Sequence, residues 1–159
     1  MTTVILCVGK LKEAYWRDAA AEYAKRLQRF GPLSVIELPD LPEPKNASEA
    51  DIQKLVAQEG EAMLAQLKPR DTVVALCIDG KQRDSVEFAA DLSRIEASGA
   101  ARVVYAIGGS NGLSPAFVRR AHARFSFSPM TFPHQLARVM LLEQLYRARK
   151  ILSNETYHK

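Results

Sequence analysis

The sequence predicts an α/β fold: one domain, with a mainly parallel sheet of about five strands and helices on both faces. Three observations predict it. Short apolar runs alternate with amphipathic stretches along the whole chain, the pattern of repeated strand–helix units. The run Thr72–Ile78 is almost wholly apolar, as a parallel strand covered on both faces should be. The chain has 159 residues, 47% hydrophobic and 25% charged, enough for one core of ordinary composition.

The elements follow in order. Val4–Val8 reads as a strand, and Glu13–Phe30 as an amphipathic helix with Tyr15, Ala19, Tyr23 and Leu27 along one face. Leu33–Leu38 is a second strand. Pro39-Asp40-Leu41-Pro42-Glu43-Pro44 excludes regular structure and makes a long loop. Ser48 with Asp51 is a helix-start pattern, and that helix runs to about Leu67. Thr72–Ile78 is the third strand, after which Asp79-Gly80-Lys81 is expected to turn the chain. Asp84 is placed to cap and Glu87 to reach back, which starts a helix over Ser85–Ala97. Val103–Ile107 is the fourth strand. Ser114 caps the next helix, with Pro115 at its first position. A short strand near Phe125–Phe127 and a helix from about His134 to Leu152 complete the chain.

That last helix carries Leu136, Val139, Met140, Leu141, Leu142, Leu145, Tyr146, Ile151 and Leu152, more than one apolar stripe. A helix apolar on two faces needs two partners. One is its own sheet, and a second subunit is the expected other.

Cys7 and Cys77 each lie inside an apolar strand-like run, which fits buried free thiols rather than a disulfide. The start of the chain lacks the basic and apolar regions of a signal peptide, and no run of about 18 apolar residues exists to span a membrane. The expected location is cytoplasmic. Residues 119–159 hold Arg119, Arg120, Arg124, Arg138, Arg147, Arg149, Lys150 and Lys159 against only Glu143 and Glu155. The whole-chain excess of +4 is therefore concentrated there, and the remainder is net acidic. A basic block of this kind points to a polyanionic partner.

The chemistry concentrates in residues 102–134. A strand runs into Gly108-Gly109-Ser110-Asn111-Gly112, and a second short strand ends in Pro129-Met130-Thr131-Phe132-Pro133-His134. Two such strand ends can lie side by side at the carboxyl edge of a parallel sheet, where α/β proteins hold ligands. The glycine loop matches neither G-x-G-x-x-G nor G-x-x-x-x-G-K-[ST], so neither a dinucleotide fold nor a P-loop is indicated. No G-x-S-x-G elbow occurs. His122, His134 and His158 stand well apart, giving no local support for a metal site. Without an evident acid/base pair, a cofactor carrying its own leaving group is favoured, since the protein then supplies chiefly positioning. S-adenosylmethionine is such a cofactor. Main-chain groups of residues 129–133 suit an adenine edge, with Met130 and Phe132 as apolar contacts.

These residues resemble a known family. Val74-Ala75-Leu76-Cys77-Ile78-Asp79-Gly80-Lys81, Ile107 to Ser114, Ser128 to His134, Leu145-Tyr146-Arg147-Ala148 and Tyr157-His158-Lys159 are similar to the small SPOUT (trefoil-knotted) ribosomal RNA methyltransferases that methylate N3 of a pseudouridine in large-subunit rRNA. The resemblance covers the full length. Family members often carry an acidic residue where Cys77 stands, which leaves the side chain there without an assigned role.

The resemblance implies a single SPOUT domain over residues 1–159, a C-terminal trefoil knot, a homodimer and a ribosomal substrate, with no metal and no membrane. It places S-adenosylmethionine against Leu76, Gly108, Gly109, Phe127, Ser128, Pro129, Met130, Thr131 and Phe132. It makes Arg147, His158 and Tyr157 the catalytic candidates. Arg147 would bind phosphate or polarise a carbonyl, His158 would accept the N3 proton, and Tyr157 would stack on a base. His134, Arg138 and Lys159 are the further RNA candidates, with Arg138 equally suited to an ion pair with Glu143 or another subunit. Two other readings stay open: a non-catalytic ribosome-binding or assembly factor, and a related tRNA methyltransferase.

Overall fold

Five strands and five helices alternate in the computed structural model, which describes residues 1–159. The strands are β1 (Thr2–Val8), β2 (Leu33–Leu38), β3 (Thr72–Gln82), β4 (Arg102–Ile107) and β5 (Ala123–Ser126). The helices are α1 (Ala14–Leu27), α2 (Glu49–Leu64), α3 (Ser85–Ala97), α4 (Pro115–Arg120) and α5 (His134–Leu152). The sheet order is β2-β1-β4-β3-β5, and every pairing is parallel.

Alternate residues of each central strand feed two cores. Ile5, Cys7, Val74, Val103, Tyr105 and Ile107 pack with Leu27 of α1, Phe88 and Leu92 of α3, and Leu141, Leu142 and Leu145 of α5. Val4, Leu6, Val8, Val73, Val104 and Ala106 face the other way, onto Met63 of α2 and Phe117 of α4. Each fully buried leucine removes enough apolar surface to contribute about 2 kcal/mol. The result is three layers, with α1, α3 and α5 on one face and α2 and α4 on the other.

Local chemistry sets the helix starts. Ser48 and Asp51 form a reciprocal capping box on α2, as do Asp84 and Glu87 on α3. Ser114 accepts the Phe117 N–H at 3.1 Å, and Pro115 occupies the first position of α4. The ends differ slightly from expectation. α1 stops at Leu27 and tightens into a 3-10 turn over Gln28–Phe30. α2 stops at Leu64, because Gln66 and Leu67 bond three residues back rather than four.

One sequence expectation is corrected. Asp79-Gly80-Lys81 does not turn the chain but belongs to the eleven-residue β3. Both Leu76 and Lys81 pair with Phe125, so the residues between them bulge out of register. Gly80 makes this possible: a Cβ there would stand 2.7 to 2.9 Å from the backbone of Arg124 and Phe125. On α5, Leu141, Leu142 and Leu145 are at most 1% exposed and pack against α1, α3 and the sheet of the same chain, whereas Leu136, Val139, Met140 and Ile151 are half-buried and Leu152 is exposed.

Candidate functional site

Register brings three strand ends together. Ala75 of β3 pairs with Ala106 of β4, and Leu76 pairs with Phe125 of β5. Leu76, Gly108 and Phe127 therefore lie at one carboxyl edge, within two residues of one another along their strands. Gly108 is buried and Gly109 half-buried. The loop closes through Gly112 N–H donating to Gly109 O at 3.0 Å, and a Cβ on Gly108 would meet Gly112 and Leu113 backbone at 2.5 to 2.9 Å. Gly108 is thus required by the loop's own packing.

The segment after β5 has an unusual backbone. No main-chain hydrogen bond of residues 127–132 goes to another main-chain group. Ser126 and Ser128 hydroxyls take the N–H groups of Ser128 and Met130, and the Ser126 hydroxyl donates to Ser128 O. The remaining peptide groups there are left to a ligand or to water. Met130 is 70% exposed, so it is not core filler, and Phe127 and Phe132 are half-buried. Paired with two partly covered aromatic rings, such a segment fits an adenosine held by main chain.

A second group assembles from α5 and the tail. Arg147 is paired with Glu143 one turn earlier, and its Nη1 lies 3.4 Å from His158 Nδ1. The Tyr157 hydroxyl donates to Glu143 at 3.1 Å. Its ring meets Tyr146 edge-on, and the Arg147 guanidinium lies over it at 4.7 Å. Those contacts occupy the ring that sequence reasoning offered to an RNA base. Burial and the Glu143 carboxylate push the Tyr157 phenol up to about 12, so it stays a donor. The Glu143 hydrogen bond also raises the Arg147 guanidinium. Glu155 anchors the tail upstream, on Lys150 and Arg29.

A cavity of about 620 Å³ touches the first group at Phe127 and the second at Glu143 and His158; Leu76, Gly108 and residues 128–132 do not line it. Phe125 and Phe127 form one side, and Val139, Met140, Glu143 and His158 the other. Sequence reasoning missed Glu143, whose only signal was its spacing of four from Arg147. It also missed the α3 contribution, Ser85 and Val86.

The RNA candidates separate. His134 sits at the end of β1, where a Cβ on Gly9 would be 3.3 Å from its Nε2, and Lys159 is exposed. Arg138 is different: it is 3% exposed, donates to Glu37 at 2.5 Å and to Gly9 O at 3.0 Å. A guanidinium so placed holds α5 to the ends of β1 and β2 and is not presented to a polyanion. Its ion-pair partner within the chain is Glu37, not Glu143. Cys7 is buried and Cys77 half-buried, and burial raises both thiols.

Fold and site together define a doubly covered parallel α/β domain whose irregular loops gather at the carboxyl ends of β3, β4 and β5. The sequence profile of a family described as "Predicted SPOUT methyltransferase" matches residues 1–158. The chain belongs to that family, which carries the trefoil knot and whose methyltransferases generally use S-adenosylmethionine. Its fold is similar to the crystal structure of a probable methyltransferase from Bordetella pertussis Tohama I, with TM-score 0.51 and 16% identity over 92% of this chain and 93% of that one. A probable methylase family protein from Haemophilus influenzae Rd KW20 gives TM-score 0.48 and 10% identity, over 96% of this chain and 66% of that one. No helix is long and apolar enough to cross a membrane.

Proposed function

We propose that this chain methylates N3 of a pseudouridine in 23S rRNA of the large ribosomal subunit, working in the cytoplasm as a homodimer with S-adenosylmethionine as donor. One observation carries the reading. A single cavity is walled by Phe127, where the segment without main-chain hydrogen-bond partners begins, and by His158 of the docked tail.

Bound S-adenosylmethionine supplies a methyl carbon on a sulfonium that departs readily. Leu76, Gly108 and the backbone of residues 127–132 would hold and orient the donor, and the chemistry it would supply is methyl transfer to N3, the new N–C bond replacing the C–S bond as the thioether leaves. A ring nitrogen of His158 takes the imide proton, directly or through one water. Arg147, kept cationic by Glu143, stabilises negative charge developing on the base carbonyls. Holding both reactants in line is the protein's main contribution.

The dimer has support at the same edge. Ile78, Val86 and Met130 are 55%, 53% and 70% exposed; Ile78 lies in the irregular stretch of β3, and Val86 and Met130 follow the carboxyl ends of β3 and β5. Apolar side chains left uncovered beside a site suit a partner surface.

Nucleoside mass spectrometry of rRNA from cells with and without the gene tests the reading. Loss of one N3-methylated pseudouridine, restored by the wild-type gene, is the expected result. Labelled methyl appearing in tRNA would redirect the substrate, and saturable ribosome binding with no incorporation would make the chain a binding factor.

A further inference from the structure

Glu143 lies in the middle of α5, and its side chain is 17% exposed. Three residues aim four donor groups at its two oxygens. Gln144 Nε2 approaches at 2.8 Å, the Tyr157 hydroxyl at 3.1 Å, and Arg147 through both Nε and Nη2. A carboxylate offers about four lone-pair positions, so this one is saturated and has none left for a substrate proton. Gln144 extends the network, because its Oε1 accepts the Ser85 hydroxyl at 2.8 Å at the first residue of α3. On the other side Arg147 covers the Tyr157 ring and reaches His158.

We propose that Glu143 is the positioning residue of this site: its carboxylate fixes the Arg147 guanidinium and the Tyr157 hydroxyl, and through them sets where His158 stands in the cavity. An i,i+4 pair on a helix contributes only about 0.3–0.5 kcal/mol to stability. The additional Tyr157 bond ties α5 to a tail residue fourteen positions on, which helix stability does not require. Without Glu143, Arg147 swings free and the last three residues lose their docking point. Its consequence for turnover rests on the methyl-transfer reading above, whereas the docking of the tail does not.

The test uses full-length wild-type protein, Glu143→Gln and Tyr157→Phe. Glu143→Gln keeps the volume but removes the charge and replaces one acceptor oxygen by a donor NH₂. Its thermal unfolding should stay within a few degrees of wild type, and donor affinity by calorimetry within about twofold, because no donor-contacting segment changes. For ribosome methylation kcat should fall by about tenfold to a hundredfold with KM nearly unchanged, the signature of a misplaced group.

A second readout needs no turnover. In protein labelled at tyrosine Cζ, the Tyr157 resonance, assigned by its loss in Tyr157→Phe, should titrate earlier in Glu143→Gln than in wild type. Wild-type kcat in Glu143→Gln overturns the proposal, as does a Tyr157 titration that does not move. An earlier Tyr157 titration in a protein whose wild type transfers no methyl supports the positioning role and sinks the functional reading alone.

Discussion

Arg138 and Cys7 are two residues whose burial decides what they do. Arg138 belongs to the basic C-terminal block by sequence, yet its charge is spent on Glu37 and the Gly9 carbonyl. Arg138→Met should therefore act on stability: removing one partner of a buried pair costs about 3 kcal/mol. Glu37 is one-third exposed and will rehydrate in part, which keeps the cost near the lower end. Urea unfolding should show the loss, while the salt dependence of ribosome binding stays as in wild type; a flatter slope would return Arg138 to the RNA surface. Cys7 is 1% exposed, and burial pushes its thiol from 9.0 up to about 11. The folded pKa lies above the unfolded one. This contribution is therefore whole below pH 9 and is lost as pH climbs toward 11, a loss of about 2–3 kcal/mol. Unfolding free energy compared between wild type and Cys7→Ala across that window should show the steeper fall in wild type. Parallel curves would mean that the thiol ionises freely in the folded protein.

Among the elements, the glycine loop and the tail make opposite predictions about the donor. Gly108→Ala places a methyl against the Gly112–Leu113 backbone, so the loop must open and donor affinity should fall by more than about tenfold; overpacking also costs about 1–3 kcal/mol of stability. Deleting Tyr157-His158-Lys159 should leave donor affinity within about twofold and reduce turnover, since His158 reaches the cavity from the tail beyond α5 and none of the three belongs to the strand ends. Calorimetry and methyl transfer on the two variants would expose reversed roles. The same elements show what a sequence can disclose. Strands announce themselves through apolar runs, and α2, α3 and α4 through cap residues, because both signals are local. Asp79-Gly80-Lys81 has the composition of a turn. It is extended only because β3 must pass within backbone contact of β5, a demand no local pattern contains. The apolar pattern of α5 was readable, but periodicity counts faces without saying that α1 and α3 take the side holding Leu141, Leu142 and Leu145. Residues 127–132 stood out by composition, and the structure adds that their main-chain groups bond no other main-chain group, three of them taking serine hydroxyls instead. Glu143 was hidden, since Glu and Arg four apart is an ordinary surface pair until a distant tyrosine is seen to share it.

At the scale of the whole molecule, charge limits what one subunit can do with RNA. Five of the eight basic residues in 119–159 are neutralised: Arg124 by Asp79, Arg138 by Glu37, Arg147 by Glu143, Arg149 by Glu96 and Lys150 by Glu155. Arg120 is turned onto the Lys68 and Asp71 carbonyls. Arg119 and Lys159 remain, so the basic block of the sequence is not one free basic face. Each phosphate contact steepens the salt dependence of binding by about 0.7 to 0.9 log units, and a single subunit has few to offer. A stable dimer buries about 800 Å² per partner, which the exposed Ile78, Val86 and Met130 would begin to supply, and it doubles the cations available. On the proposed function, recognition is then expected of the dimer and of the folded ribosome, whose shape would supply what the free charges of one subunit do not. Methyl incorporation at equal concentrations should be strong with intact large subunits and at least about a hundredfold weaker with the isolated target stem-loop, roughly 2.7 kcal/mol of discrimination. Equal rates on the two substrates would show that a few local contacts suffice, and would place the specificity back in the single subunit.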